Sequence, residues 1–146
     1  MQALIKTADQ IKGIKKACRL ASRVLDEVGY LVAEGISTET LDKFIHDFIV
    51  KHNGIPATLN YKGYPKSCCI SRNDVICHGI PRDDEILQNG DIVNIDVTVI
   101  LDGYFGDTSR MYCVGGIGSI SSTARRLVEV TEAALYQGIK VVRNGG

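Results

Sequence analysis

From Asp91 to Tyr112 the chain reads Asp-Ile-Val-Asn-Ile-Asp-Val-Thr-Val-Ile-Leu-Asp-Gly-Tyr-Phe-Gly-Asp-Thr-Ser-Arg-Met-Tyr, and this stretch constrains the fold more than any other. Side chains alternate across a strand, so Val93, Ile95, Val97, Val99 and Leu101 point to one side and Asn94, Asp96 and Thr98 to the other. Asp102-Gly103 suits a two-residue type I′ hairpin turn. That turn sets the register: if Leu101 faces Tyr104, then Asp96 faces Ser109 and Asp107 faces Thr98. Asp96 and Asp107 become diagonal neighbours on one face, their backbones about 7–8 Å apart. Two carboxylates so placed can hold one cation, or, with further ligands, two metals about 3.5–4 Å apart. The hairpin alone leaves a plainer reading open, because a polar strand face is commonly the solvated side of an antiparallel sheet. Facing carboxylates without a cation repel and raise each other's pKa, which tilts the balance towards a bound ion.

Two helices are expected before the hairpin. Thr7-Ala8-Asp9-Gln10 has the form of a capping box. Behind it Ile11, Ile14, Cys18, Ala21, Leu25, Val28 and Leu31 recur at helical spacing, and Gly35 ends the stretch. Ser37 offers the next N-cap, Leu41, Phe44, Ile45, Phe48 and Ile49 make its apolar stripe, and Gly54 supplies the stop. From Ile55 to Gly118 turn-forming residues punctuate short runs, with strands expected at about 67–71, 75–78, 91–101 and 104–114. A last helix is expected from about Ser122 to Val142, with Leu127, Val128, Thr131, Leu135, Ile139 and Val142 in helical period. Helices, then strands, then a helix indicate an α+β fold of helices packed on an antiparallel sheet.

Composition narrows the class. A chain of 146 residues that is 45% apolar suits a single globular domain, and no linker or repeat divides it. Balanced charge argues against a DNA binder working through bulk charge. No apolar run approaches the roughly 18 residues of a membrane span. The N-terminal MQALIKTADQ lacks the apolar core of a secretory signal. Five cysteines without a C-x-x-C pair suit free thiols and a cytoplasmic setting.

Four motifs in order carry a resemblance. Tyr61-Lys-Gly-Tyr-Pro-Lys-Ser67 with Cys69-Ile-Ser, Cys77-His-Gly-Ile-Pro81, Asp91-Ile-Val-Asn-Ile-Asp-Val97 and Gly103-Tyr-Phe-Gly-Asp-Thr-Ser-Arg110 together resemble the type I methionine aminopeptidases of bacterial form. The likeness runs from about residue 4 to about residue 143. It implies the pita-bread fold, two pseudo-symmetric αβ halves around a dinuclear metal centre, with residues 1–146 forming the N-terminal half. It implies hydrolysis of the first peptide bond by metal-activated water, removing the initiator methionine from nascent proteins whose second residue is small. Asp96 and Asp107 would be metal ligands, Asp107 bridging. His78 would contact substrate and assist proton movement, and could donate to the developing oxyanion. Tyr61, Tyr64 and Cys69, with His78, would bind the substrate. By their residue types alone, His78 would be a turn histidine, Tyr61 and Tyr64 loop packing, and Cys69 a small buried residue. Thr58 and Lys62 stand where relatives often carry a cysteine and a histidine.

The resemblance implies two divalent metal ions, and carboxylate oxygens alone do not choose among Co, Mn, Fe, Ni and Zn. Such a centre takes two Asp, one His and two Glu, and this sequence supplies only the two Asp in matching motifs. His46 and His52, six residues apart on the second helix, do not share a face. The expectation is a parent aminopeptidase whose N-terminal half, alone, is inactive. The alternative is a non-catalytic binding module of pita-bread type, possible partners including the ribosome, touched by Lys12, Lys15, Lys16, Arg19 and Arg23 of the first helix. An isolated half with open apolar faces is also expected to self-associate.

Overall fold

The computed structural model describes residues 5–144; Met1–Leu4, within the N-terminal stretch read above, lie outside the described residues. Helix α1 spans Ala8–Gly29 and starts as its sequence dictates, with Thr7 and Gln10 exchanging both bonds of the capping box. Helix α2 spans Thr38–Lys51 and is capped by Ser37, whose side chain accepts from Thr40 N. A two-residue strand β1 (Ile55–Pro56) follows, then a 3₁₀ turn at Tyr61–Gly63 and strand β2 (Cys69–Arg72). The long hairpin strands β3 (Ile92–Leu101) and β4 (Tyr104–Cys113) come next, and helix α3 (Ser122–Val141) closes the order.

The hairpin register is the expected one. Leu101 faces Tyr104, Thr98 faces Asp107 and Asp96 faces Ser109. Asp102 and Gly103 both take positive φ, 53° and 79°, as a type I′ turn requires. The other edge of β3 is shared, with β2 pairing Cys69 to Asp96 and β1 pairing Ile55 to Ile100, all antiparallel. Val93, Ile95, Val97 and Val99 are fully buried against α1 and α2. The opposite face carries Asn94, Asp96 and Thr98 on β3 and Phe105, Asp107, Ser109 and Met111 on β4; among the described residues Leu127 of α3 reaches its Asn94–Met111 end, and its Asp96–Asp107 end lines an open cleft. Asp96 and Asp107 both stand on that face.

Helix α1 buries a different stripe from the one its periodicity suggests in its first half. Gly13, Ala17, Leu20 and Val24 are buried, whereas Ile11 and Cys18 are exposed and Ile14 is half-buried; Ala21, Leu25 and Val28 are buried as expected. The reason is close approach. A Cβ on Gly106 of β4 would lie 2.3 Å from the carbonyl carbon of Ala17, so the sheet touches helix backbone there. Only small residues can face such a contact, which turns the bulkier ones outward.

Other departures have local causes. Residues 75–78 form no strand: Asn73 and His78 both have positive φ, Ile76 is almost fully exposed, and one bond, Ile70 N to Gly79 O (2.9 Å), ties the returning chain to β2. Strand β2 starts late because the N–H groups of Ser67 and Cys68 both donate to Asp42 Oδ1. Helix α1 stops at Gly29, short of Leu31 and Gly35. After α2 the left-handed residue is Asn53 (φ 60°) rather than Gly54, whose N–H bonds Ile49 O. Helix α3 forms where expected, yet none of its residues is buried, and Leu127, Leu135 and Ile139 are more than half exposed. The basic stripe of α1 is partly engaged: Lys12 pairs with Asp9, Lys16 with Asp102, and Arg23 lies over the Phe48 ring. All five cysteines are free, and no described helix is long and apolar enough to cross a membrane.

Candidate metal and peptide site

A cleft of about 940 Å³ opens on the bare face of the sheet, and it gathers Asp96, Asp107, His78, Tyr61, Tyr64 and Cys69 together with Thr58, Lys62, Thr98 and Phe105. Every site residue expected from the sequence lines this one cavity. Strand pairing supplies the floor. Asp96 sits between Cys69 of β2 and Ser109 of β4, and Asp107 sits opposite Thr98. Thr98 Oγ1 donates to Asp107 Oδ1 at 3.1 Å, which fixes one carboxylate oxygen. Burial, then the charge of Asp107, pushes the Asp96 carboxyl above its ordinary value, while His78 acts the other way. A carboxyl raised by a neighbouring carboxylate in this way suits a cation between them.

His78 is held by its neighbours' backbone. Its φ is 56°, left-handed for a non-glycine residue. Gly79 follows because nothing larger fits: an added Cβ would lie 2.0 Å from Ile70 O. Gly79 N donates to Ser71 Oγ at 3.2 Å, and its carbonyl accepts from Ile70 N. Tyr64 closes the arrangement from the other side, its hydroxyl 2.8 Å from Gly79 O and 3.0 Å from Cys68 O. Burial raises the Tyr64 phenol further above its already high value, so it stays a neutral donor. Tyr64 is thus both a cleft wall and a tie across the two loops. Tyr61, largely exposed, forms the outer wall. Cys69 is buried, and that burial pushes its thiol up, so it meets the cleft as a neutral, weakly polar group.

Asp42 was not singled out by its sequence context, yet it organises the loop under the cleft. It is buried and accepts from Ser67 N (2.9 Å), Cys68 N (3.0 Å) and Cys68 Sγ (3.2 Å). Burial raises its carboxyl, and the bonds from Cys68 and Ser67 pull it back. The available signal is its place on the buried face of α2, four residues after Thr38 and three before Ile45. His46 also serves this loop, with Nδ1 2.9 Å from Ser67 Oγ, and His52 lies at the end of the helix against Phe48 O. Neither histidine lines the cleft. Just before β3, Asp91 accepts from Asn73 Nδ2 and Gln88 N, both at 2.8 Å. Arg72 Nε lies 2.7 Å from Asp91 Oδ2 without aiming its N–H at the oxygen, so that contact is ionic rather than a hydrogen bond.

The donor set decides how far the metal chemistry goes. Asp96 and Asp107 fit the carboxylate share of a divalent-metal site, but among the described residues no group of three His, Cys, Asp or Glu side chains could hold an ion. Catalytic centres use at least three protein ligands. These residues do not by themselves make a complete centre, and no reaction step can be routed through a metal held by them alone.

Comparison with known proteins agrees with the motifs. The model of metallopeptidase family M24 matches residues 12–146. Methionine aminopeptidase of Haemophilus influenzae is 53% identical over 140 residues, covering 95% of this chain and 52% of the relative. The crystal structure of methionine aminopeptidase from Rickettsia prowazekii superposes with a TM-score of 0.92 at 50% identity, over 97% of this chain and 56% of that one. That from Thermotoga maritima gives 0.91 at 30% identity. The chain spans about half the length of the curated relatives it matches.

Proposed function

The chain belongs to metallopeptidase family M24, and from that premise we propose that it carries the N-terminal share of a methionine aminopeptidase active site. Its helices on an antiparallel sheet form an αβ half of the pita-bread fold. The reaction of the whole protein is hydrolysis of the first peptide bond, releasing the initiator methionine from nascent chains, with divalent metal ions as cofactor. The observation that carries the reading is the convergence of Asp96, Asp107 and His78 in one cleft with Tyr61, Tyr64 and Cys69.

Each residue then has a task its environment suits. Asp96 and Asp107 supply oxygen donors for the metal. His78, fixed by the Gly79 clamp, donates to the substrate carbonyl oxygen as it gains charge or moves a proton at the bond being cut. Tyr61, Tyr64 and neutral Cys69 give the methionine side chain an apolar wall without a competing charge. With two donors on the described residues, the 146-residue polypeptide alone is expected to release little or no methionine.

A chimera tests the reading: this sequence joined to the remaining half of the Haemophilus influenzae relative, supplied with manganese and the peptide Met-Ala-Ser. Methionine release is expected, with loss in Asp96→Asn and Asp107→Asn chimeras. Turnover that survives either substitution overturns the assignment.

A further inference from the structure

Among the described residues, Lys62 is the one lysine or arginine lining the cleft. Its backbone is left-handed (φ 49°, ψ 32°), within a turn where Asn60 and Gly63 also have positive φ. That conformation is disfavoured for a non-glycine residue, and a lysine has no short polar side chain to offset it locally. The ammonium stands 5.5 Å from the centroid of the Tyr61 ring. Its neighbours in sequence and space are spent: Lys66 pairs with Glu39, and Lys43 with Glu39 and Asp83. Lys62 enters none of the ion pairs among the described residues. An exposed, unpaired cation held by an aromatic face at the wall of a cleft is available to an anion bound there.

We propose that Lys62 is a specificity-determining residue that recognises a carboxylate on the peptide downstream of its first bond: an acidic side chain at the third or fourth position. The inference rests on the peptide reading of the cleft. A peptide begins with an ammonium, which Lys62 repels, and its second residue is small in that reading. Its anionic groups are then the later acidic side chains and the C-terminal carboxylate. An exposed pair of this kind is worth about a two- to fivefold difference in affinity.

The test is isothermal titration of the 146-residue chain with C-terminally amidated Met-Ala-Glu-Gly, Met-Ala-Gly-Glu, Met-Ala-Gln-Gly and Met-Ala-Lys-Gly, and with Met-Ala-Gln-Gly bearing a free C-terminus. One of the two Glu peptides is expected to bind about two- to fivefold tighter than its Gln counterpart, the gap closing as salt is raised. Lys62→Met removes the gap, and Lys62→Glu turns the preference towards the Lys peptide. Lys62→Gly keeps the left-handed turn and serves where Lys62→Met unfolds, as circular dichroism reports. Equal affinities in the unsubstituted chain, or a gap that survives both Lys62→Met and Lys62→Gly, overturn the role of Lys62 while leaving the peptide reading intact. A gap seen only with the free C-terminus overturns the side-chain assignment. Where no peptide binds the chain alone, the same titration is run on the metal-free chimera described above, and failure there as well overturns the peptide reading, and this inference with it.

Discussion

Thr98 donates its hydroxyl to Asp107 from the position directly across the ladder, 3.1 Å away, so one β3 side chain orients a carboxylate on β4. A neighbour that orients a metal ligand typically changes metal affinity about 10- to 100-fold when removed. Thr98→Val keeps the β-branched shape and deletes the donor. In the chimera described above, manganese binding followed by electron paramagnetic resonance is expected to weaken about tenfold, with thermal stability changed by about 1 kcal/mol or less.

Gly79 ties His78 to β2 through its own backbone, which accepts from Ile70 N and donates to Ser71 Oγ. Gly79→Ala places a carbon against Ile70 O at 2.0 Å, where neither partner is a flexible side-chain tip. The expected loss is about 2 kcal/mol or more, read as a fall in denaturation midpoint, because backbone must shift. Gly63, where an added Cβ meets nothing within 4 Å, is the control for positive φ without a clash. Gly63→Ala should cost about 1 kcal/mol.

Asp42 separates the worth of its charge from that of its hydrogen bonds. Asp42→Ala strands three donors, from Ser67 N, Cys68 N and Cys68 Sγ, at an expected cost of about 2–4 kcal/mol. Asp42→Asn keeps an oxygen acceptor and removes the buried charge. The folded-state pKa of Asp42 lies above its ordinary 3.8, so the native chain holds the proton more tightly than the unfolded chain. Stability referred to Asp42→Asn therefore falls as pH rises from about 3.8 through the folded midpoint, and is flat above it. Urea titrations across that window check the sign; a difference that grows more favourable with rising pH contradicts it.

The two long helices that flank the hairpin contribute unequally. Leu25 of α1 is 1% exposed and Leu135 of α3 is 60% exposed. Leu25→Ala is expected to cost about 3 kcal/mol through the cavity it leaves. Leu135→Ala should fall within about 0.5 kcal/mol in denaturant titration. If α3 mediates self-association, replacing Leu127, Leu135 and Ile139 together by serine lowers the light-scattering mass without moving the midpoint.

Legibility in the sequence followed how local the determining contacts are. The hairpin register, both N-caps and the placing of Asp96 and Asp107 on one face rest on alternation, turn length and capping, all written within a few residues. The buried stripe of α1 was misread at Ile11, Ile14 and Cys18 because it is set by Gly106, far along the chain, pressing on Ala17. Residues 75–78 look strand-like by composition, but the left-handed turns at Asn73 and His78 override propensity. The role of Asp42 is hidden in the sequence because its partners, Ser67 and Cys68, come from a loop about 25 residues away, and only its place on the buried face of α2 hints at it. The cleft itself came from the resemblance, since neither His78 nor Tyr64 carries a periodic signal that would bring it to the sheet.

Because the Asp102-Gly103 turn spends only two residues, the mutual placement of Asp96, Thr98 and Asp107 depends on no distant part of the chain. Hairpins close in about 1–10 μs, whereas contacts between elements far apart in sequence must first overcome the entropy of longer loops. The carboxylate pair is therefore set by the most rapidly formed kind of β-structure, and α1, packing on the other face, meets a sheet whose carboxylate-bearing side is already in register. Substitutions that loosen the helix layer should then slow the assembly of the core far more than they scramble the spacing of the two aspartates.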